Sequence, residues 1–180
     1  NGNYDRAKEC GLNVAAIGSP WLYMKDTPVP KPSNSLLAFP THSYRDVRVV
    51  GFDYCQYIAD LLNAANAHGL DGITLCLHAE DYTDSIKQDL VGGRISVVTL
   101  GDVRATDYFY RVRDLIRSHA AVTSDRICSS AFYALYESVP FLLCGKPAFR
   151  EPPEDSDTLV TSEWTNSRFP KLYDAMGGVP

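Results

Sequence analysis

The part of this sequence best equipped for chemistry lies between Ser118 and Pro147. A short apolar run, Ala120–Val122, leads into a small-polar turn, Thr123–Asp125, and then into Ser129-Ser130 at the start of a helix. Pro140 and a second apolar run, Phe141–Cys144, come next. Hydroxyl residues where a strand feeds a helix N-terminus suit an anion, because unpaired N–H groups and the positive end of the helix dipole meet there. The two serines also fit the simpler role of N-caps, and the same groups serve both purposes.

The other apolar runs also end in polar loops. Leu36–Phe39 leads to Thr41-His42-Ser43-Tyr44, and Ile73–Leu77 to His78, Glu80 and Asp81. Ile95–Leu100 leads to Gly101-Asp102, Ala120–Val122 to Thr123-Ser124-Asp125, and Phe141–Cys144 to Gly145-Lys146. His42 and His78 fit either of two roles: a ring N–H donor to phosphate or sugar, or a strand-end residue bonded to a nearby carbonyl. Neither has a second ligand three or four residues away on a helix, so no metal site is expected. Tyr133 and Tyr136 fit either the core or a pocket wall. Phe132, Leu135 and Val139 are read as core, and Arg126 as a solvated turn residue. His68 and His119 stand at helix C-termini, where an imidazolium complements the dipole. There is no GxGxxG after a strand, no GxxxxGK[ST] loop and no GxSxG elbow, which weakens dehydrogenase, P-loop NTPase and α/β-hydrolase readings.

These loops need a scaffold that delivers them to one edge. Between the apolar runs lie three amphipathic segments. Phe52–Ala67 carries Cys55, Ile58, Leu61, Leu62 and Ala65 at helical spacing, Asp81–Leu90 is polar and ends at Gly92-Gly93, and Thr106–Ser118 aligns Phe109, Val112, Leu115 and Ile116. The alternation predicts an α/β three-layer sandwich: a mainly parallel sheet of about five strands with helices on both faces. Such sheets bind ligands at the carboxyl ends of their strands, where these polar loops lie. Asn13–Ile17 is a lone apolar run, and Pro28 to Pro32 a proline-punctuated linker. Residues 1–32 are therefore read as an arm from a preceding domain, 33–150 as the binding domain and 151–180 as a tail that packs back through Trp164 and Phe169.

Composition bounds the rest. The chain has 180 residues, 45% of them hydrophobic, and a net charge of −5. That balance argues against a general nucleic-acid binder, and no apolar run is long enough to span a membrane. Five dispersed cysteines without a CxxC pair read as buried, reduced thiols of a cytoplasmic protein. There is no initiating Met, and a piece of a longer protein is expected.

SSAFYALYESVPFLLCGKP resembles the donor-binding signature of GT-B glycosyltransferases, in which a helix and a following "gkP" strand hold the nucleotide sugar. AIGSPWLYM resembles the segment leading into the second domain of bacterial surface and capsular polysaccharide transferases. SLLAFPTHS resembles that group's first strand and loop, and ITLCLHAED its next strand ending in histidine. Together they cover roughly residues 12–150. The chain departs from the wider pattern at Tyr133, where a ribose-binding glutamate is common, and at Ser138, where a glycine is common. The resemblance implies a Rossmann-like C-terminal domain that binds a CMP- or UDP-linked sugar through His42, Ser43, His78, Ser129 and Ser130, with neither metal nor cofactor. Ser124, from the loop after its strand, and Tyr133, from its place near the helix start, join them as candidate binding residues. The glycan acceptor and the catalytic groups would belong to a missing N-terminal domain, so this fragment alone is expected to be inactive. The alternatives are a UDP-sugar epimerase-like enzyme fragment and a non-catalytic flavodoxin-like binding or regulatory module.

Overall fold

The computed structural model describes residues 2–43, 48–50, 52–146 and 149–151. Trp164, Phe169 and the rest of the expected tail lie outside the described residues. The elements, in chain order, are α1 (Gly2–Glu9), a 3-10 turn (Pro20–Tyr23), β1 (Ser33–Ala38), β2 (Arg48–Val50), α2 (Tyr54–Ala67), β3 (Gly72–Leu77), α3 (Asp84–Leu90), β4 (Ile95–Thr99), α4 (Tyr108–Arg117), β5 (His119–Ser124), α5 (Ser129–Tyr136), β6 (Phe141–Leu143) and β7 (Phe149–Glu151).

Five strands form one all-parallel sheet in the order β4-β3-β1-β5-β6. This is the α/β Rossmann-like architecture that the strand–helix alternation predicts. Numbered along the chain, the parallel strands run 3-2-1-4-5, the dinucleotide-fold order rather than the flavodoxin-like 2-1-3-4-5. The chain reverses direction across the sheet between β1 and β5, so their carboxyl ends diverge into a crevice. β2 and β7, for which the sequence pattern gives no sign, form a separate antiparallel pair.

Side chains alternate across the sheet as strand geometry requires. Leu36, Ala38, Ile73, Leu75, Leu77 and Val97 face α2 and α3, with Leu61 and Ala65 of α2 packed on them. Leu37, Cys76 and Val122 face the other way, toward Val112 and Ile116 of α4 and Ala134 of α5. The inward face of α2 carries Tyr57 in place of the expected Cys55, which is exposed, and Cys10 is exposed as well, so these two cysteines are not the buried thiols expected. α2 opens with the Asp53 carboxylate accepting from the Gln56 N–H (3.0 Å) and α3 with the Thr83 hydroxyl accepting from the Ile86 N–H (3.2 Å), both N-caps. α2 closes in a Schellman motif: Gly69 takes the left-handed position at φ +64, and the Leu70 N–H reaches the Ala65 carbonyl.

Four expectations fail on packing grounds. Thr123 and Ser124 are not in a turn: they pair with Leu142 and Leu143 and extend β5. On α5, Ser130, Ala131 and Ala134 face the sheet, because small side chains let the helix approach closely. Phe132 and Leu135 are thereby turned outward, 50% and 56% exposed, and are not core. Arg126 is buried beside Asp125, with Nε 3.6 Å from Oδ2, and is not a solvated turn residue. His119 begins β5 directly after α4 and does meet the end of that helix, with Nδ1 2.7 Å from the Leu115 carbonyl and Nε2 2.9 Å from the Thr74 hydroxyl. It is buried, however, and burial pushes its pKa down, against the expected imidazolium.

The segment before β1 is clasped to the α4/α5 face. Trp21 is 3% exposed and donates its indole N–H to Glu137 (2.8 Å), whose other oxygen accepts from Arg117 (2.5 Å). Arg113 donates to the Lys25 carbonyl (2.6 Å) and the Thr27 hydroxyl (3.1 Å).

Candidate functional site

A cavity of about 350 Å³ opens at the carboxyl edge of the sheet, on the α4/α5 side. The end of β1 contributes Phe39, Pro40 and His42; that of β3 contributes Cys76, Leu77, His78 and Ala79; that of β4 contributes Leu100 and Gly101. α4 adds Tyr108, Phe109 and Val112, and the start of α5 adds Cys128, Ser129, Ser130 and Tyr133. Five of the predicted site residues therefore line one cavity: His42, His78, Ser129, Ser130 and Tyr133.

The histidines arrive from separate strands and stack, with ring centroids 4.4 Å apart and planes 11° from parallel. His42 Nδ1 lies 2.7 Å from the Ser43 carbonyl, which only accepts, so Nδ1 carries the proton. His78 Nδ1 accepts from the Glu80 N–H at 3.4 Å, which leaves its proton on Nε2.

The other end of the site is the first turn of α5. No described side chain caps it, unlike the first turns of α2 and α3. Cys128, at the N-cap position, holds Sγ 3.0 Å from the Ser130 hydroxyl and 3.6 Å from that of Ser124. The helix start and its hydroxyls form one edge of the cavity, and the paired imidazoles form another. Most of the remaining wall is apolar and neutral. Burial pushes the Cys76 thiol up to about 12, against an opposing backbone hydrogen bond at Leu100. Burial likewise raises the Tyr108 phenol.

Ser43 and Ser124 lie off the cavity wall. The Ser43 N–H donates to Asp81 (2.8 Å), and its hydroxyl accepts from the Val49 N–H (3.2 Å). It braces the loop after β1. Ser124 is buried at the end of β5. The loop is also held across the switch point by Asp125, which is fully buried. One Asp125 oxygen accepts from the Thr41 N–H (2.6 Å) and the other from the Thr41 hydroxyl (2.5 Å). This two-pronged grip fixes the residue next to His42.

Sequence reasoning missed Tyr108, Phe109 and Cys128. Tyr108 and Phe109 lie in the first turn of α4, just past the Gly101-Asp102 loop. Tracing each strand as far as the next helix, instead of stopping at the loop, reaches them. Asp125 was visible only as part of a polar turn, since its partner Thr41 lies far away in sequence. Tyr136 points out, 58% exposed.

One further feature lies just behind the site. α5 ends in a Schellman motif like that of α2: the Val139 N–H reaches the Ala134 carbonyl (2.9 Å) and the Ser138 N–H the Leu135 carbonyl (3.1 Å). Ser138 occupies the left-handed position at φ +60, where glycine is the usual residue. No protein-family model matches the chain, and comparisons with curated proteins and with solved structures return no match.

Proposed function

We propose that this chain is the donor-binding domain of a glycosyltransferase of the GT-B kind, which holds a CMP- or UDP-linked sugar in the carboxyl-edge cavity and serves surface-polysaccharide assembly. The observation that carries the reading is the convergence, on one cavity beside the β1/β5 switch point, of a helix start bearing Ser129 and Ser130 and of two histidines from separate strands. Open parallel sheets bind nucleotides at this place, and the donors present are those that suit phosphate oxygens. The left-handed backbone at Ser138 is a second support, because the resembled signature carries glycine at that position.

The chemistry assigned to the domain is electrostatic. As the bond to the sugar breaks, negative charge grows on the departing phosphate. N–H groups of the α5 start, the two serine hydroxyls and an imidazolium stabilise that charge, and do so most strongly in the transition state. The acceptor and the base that activates it come from the other half of the cleft. Thermal unfolding of the chain with CMP, UDP or GDP at millimolar concentration tests the reading. A bound nucleotide at a hundred times its Kd stabilises by about 2.7 kcal/mol. Unchanged unfolding with all three overturns it.

A further inference from the structure

The segment before β1 was expected to be an arm, yet its Trp21 is built into the cavity's rear. Its indole stacks on Tyr133 with centroids 4.0 Å apart and planes 6° from parallel. Phe109 meets both rings edge-on, 6.3 Å from Trp21 and 6.4 Å from Tyr133, and Tyr108 meets Phe109 at 5.8 Å. Tyr108, Phe109 and Tyr133 all line the cavity, on the α4/α5 side. Trp21 itself does not line it. The indole is locked from behind by the Glu137–Arg117 pair, so the wall is supported by a rigid second layer.

We propose that this backed wall of Tyr108, Phe109 and Tyr133 is the platform for a flat heteroaromatic ring, and that Trp21 is the positioning residue that holds it. The inference rests on the nucleotide reading and adds an orientation to it. The base lies against the aromatic wall, and the phosphate lies at the start of α5 under the histidines. Three features support the assignment. The wall is apolar and neutral, as a base requires and a phosphate does not. A base stacked on an aromatic side chain contributes about 1–3 kcal/mol. The polar donors of the cavity come from the α5 start and the histidines, so one ligand with an aromatic end and an anionic end satisfies both regions.

The test is calorimetric titration of the chain with CMP, UDP and inorganic pyrophosphate, repeated for Tyr133→Leu, Trp21→Phe and Glu137→Gln. Tyr133→Leu is expected to weaken the nucleotides about ten-fold or more and to leave pyrophosphate unchanged. Trp21→Phe keeps a ring behind Tyr133 but removes the indole N–H that Glu137 anchors, and should weaken the nucleotides to a smaller degree, again sparing pyrophosphate, whereas Glu137→Gln keeps an oxygen that accepts the indole N–H and should stay near the parent. In a Trp164→Phe background, nucleotide but not pyrophosphate should change Trp21 emission. Equal losses for nucleotide and pyrophosphate, or nucleotide affinity unmoved by Tyr133→Leu, overturn the platform. A parent that binds pyrophosphate but gains nothing from the base overturns the platform alone. A parent that binds neither overturns the nucleotide reading as well.

Discussion

The two faces of the sheet are built for different tasks. The α2/α3 face is a sealed core of Leu36, Leu61, Ile73 and Leu75 with Tyr57 buried among them, and both its helices begin with a side-chain cap. The α4/α5 face is aromatic and partly hollow, its helices begin without such caps among the described residues, and an N-terminal segment is clasped over it. One face invests in stability. The other leaves helix-start donors and aromatic surface for a ligand. The contrast extends to the helix ends, where α2 closes with Gly69 and α5 with the strained Ser138.

The largest effect should come from the residue that ties the ends of β1 and β5 together at the switch point. Asp125→Ala removes the acceptor of both Thr41 donors and the carboxylate beside Arg126. It should cost about 3–5 kcal/mol in denaturant unfolding, and a loss below about 1 kcal/mol would mean that the grip on the loop is incidental. Next is the sealed face. Leu61→Ala should cost about 2–5 kcal/mol while nucleotide affinity of the folded protein stays at the parent value. A parallel fall in affinity would show that the two faces are not separable. Smallest is Ser138→Gly, which relieves a left-handed serine and should stabilise by about 1 kcal/mol. Destabilisation there would mean that Ser138 makes a compensating contact.

Much of the scaffold was legible because its signals are local. β1, β3, β4, β5 and β6 are short apolar runs bounded by turn residues, and α4 presents Val112 and Ile116 at helical spacing. His42, His78, Ser129 and Ser130 were legible from the loops and helix start that follow the strands, a rule that works because parallel strands share a carboxyl edge, whereas Tyr133 fitted core and pocket wall equally. The features that escaped depend on distant partners. The outward turn of Phe132 and Leu135 comes from the small-residue face of α5 pressing on β5. The burial of Arg126 comes from Asp125, which Thr41 satisfies from the end of the neighbouring strand, far away in sequence. β2 and β7 are three-residue strands, too short for periodicity to mark, and only their pairing defines them. Trp21 looked like part of a linker, and nothing within residues 1–32 announces that its stacking partner is Tyr133.

The central claim is that the ligand's phosphate lies at the start of α5, and calorimetric titration of CMP and UDP into the parent and into Ser129→Ala/Ser130→Ala tests it most directly. Charge-assisted hydrogen bonds contribute about 1.5–3 kcal/mol each. The double variant should therefore bind about ten-fold or more weakly with its unfolding midpoint within a few degrees of the parent's, because neither serine makes a capping hydrogen bond at the α5 start. Equal affinities in parent and variant, measured up to millimolar ligand, would contradict the account.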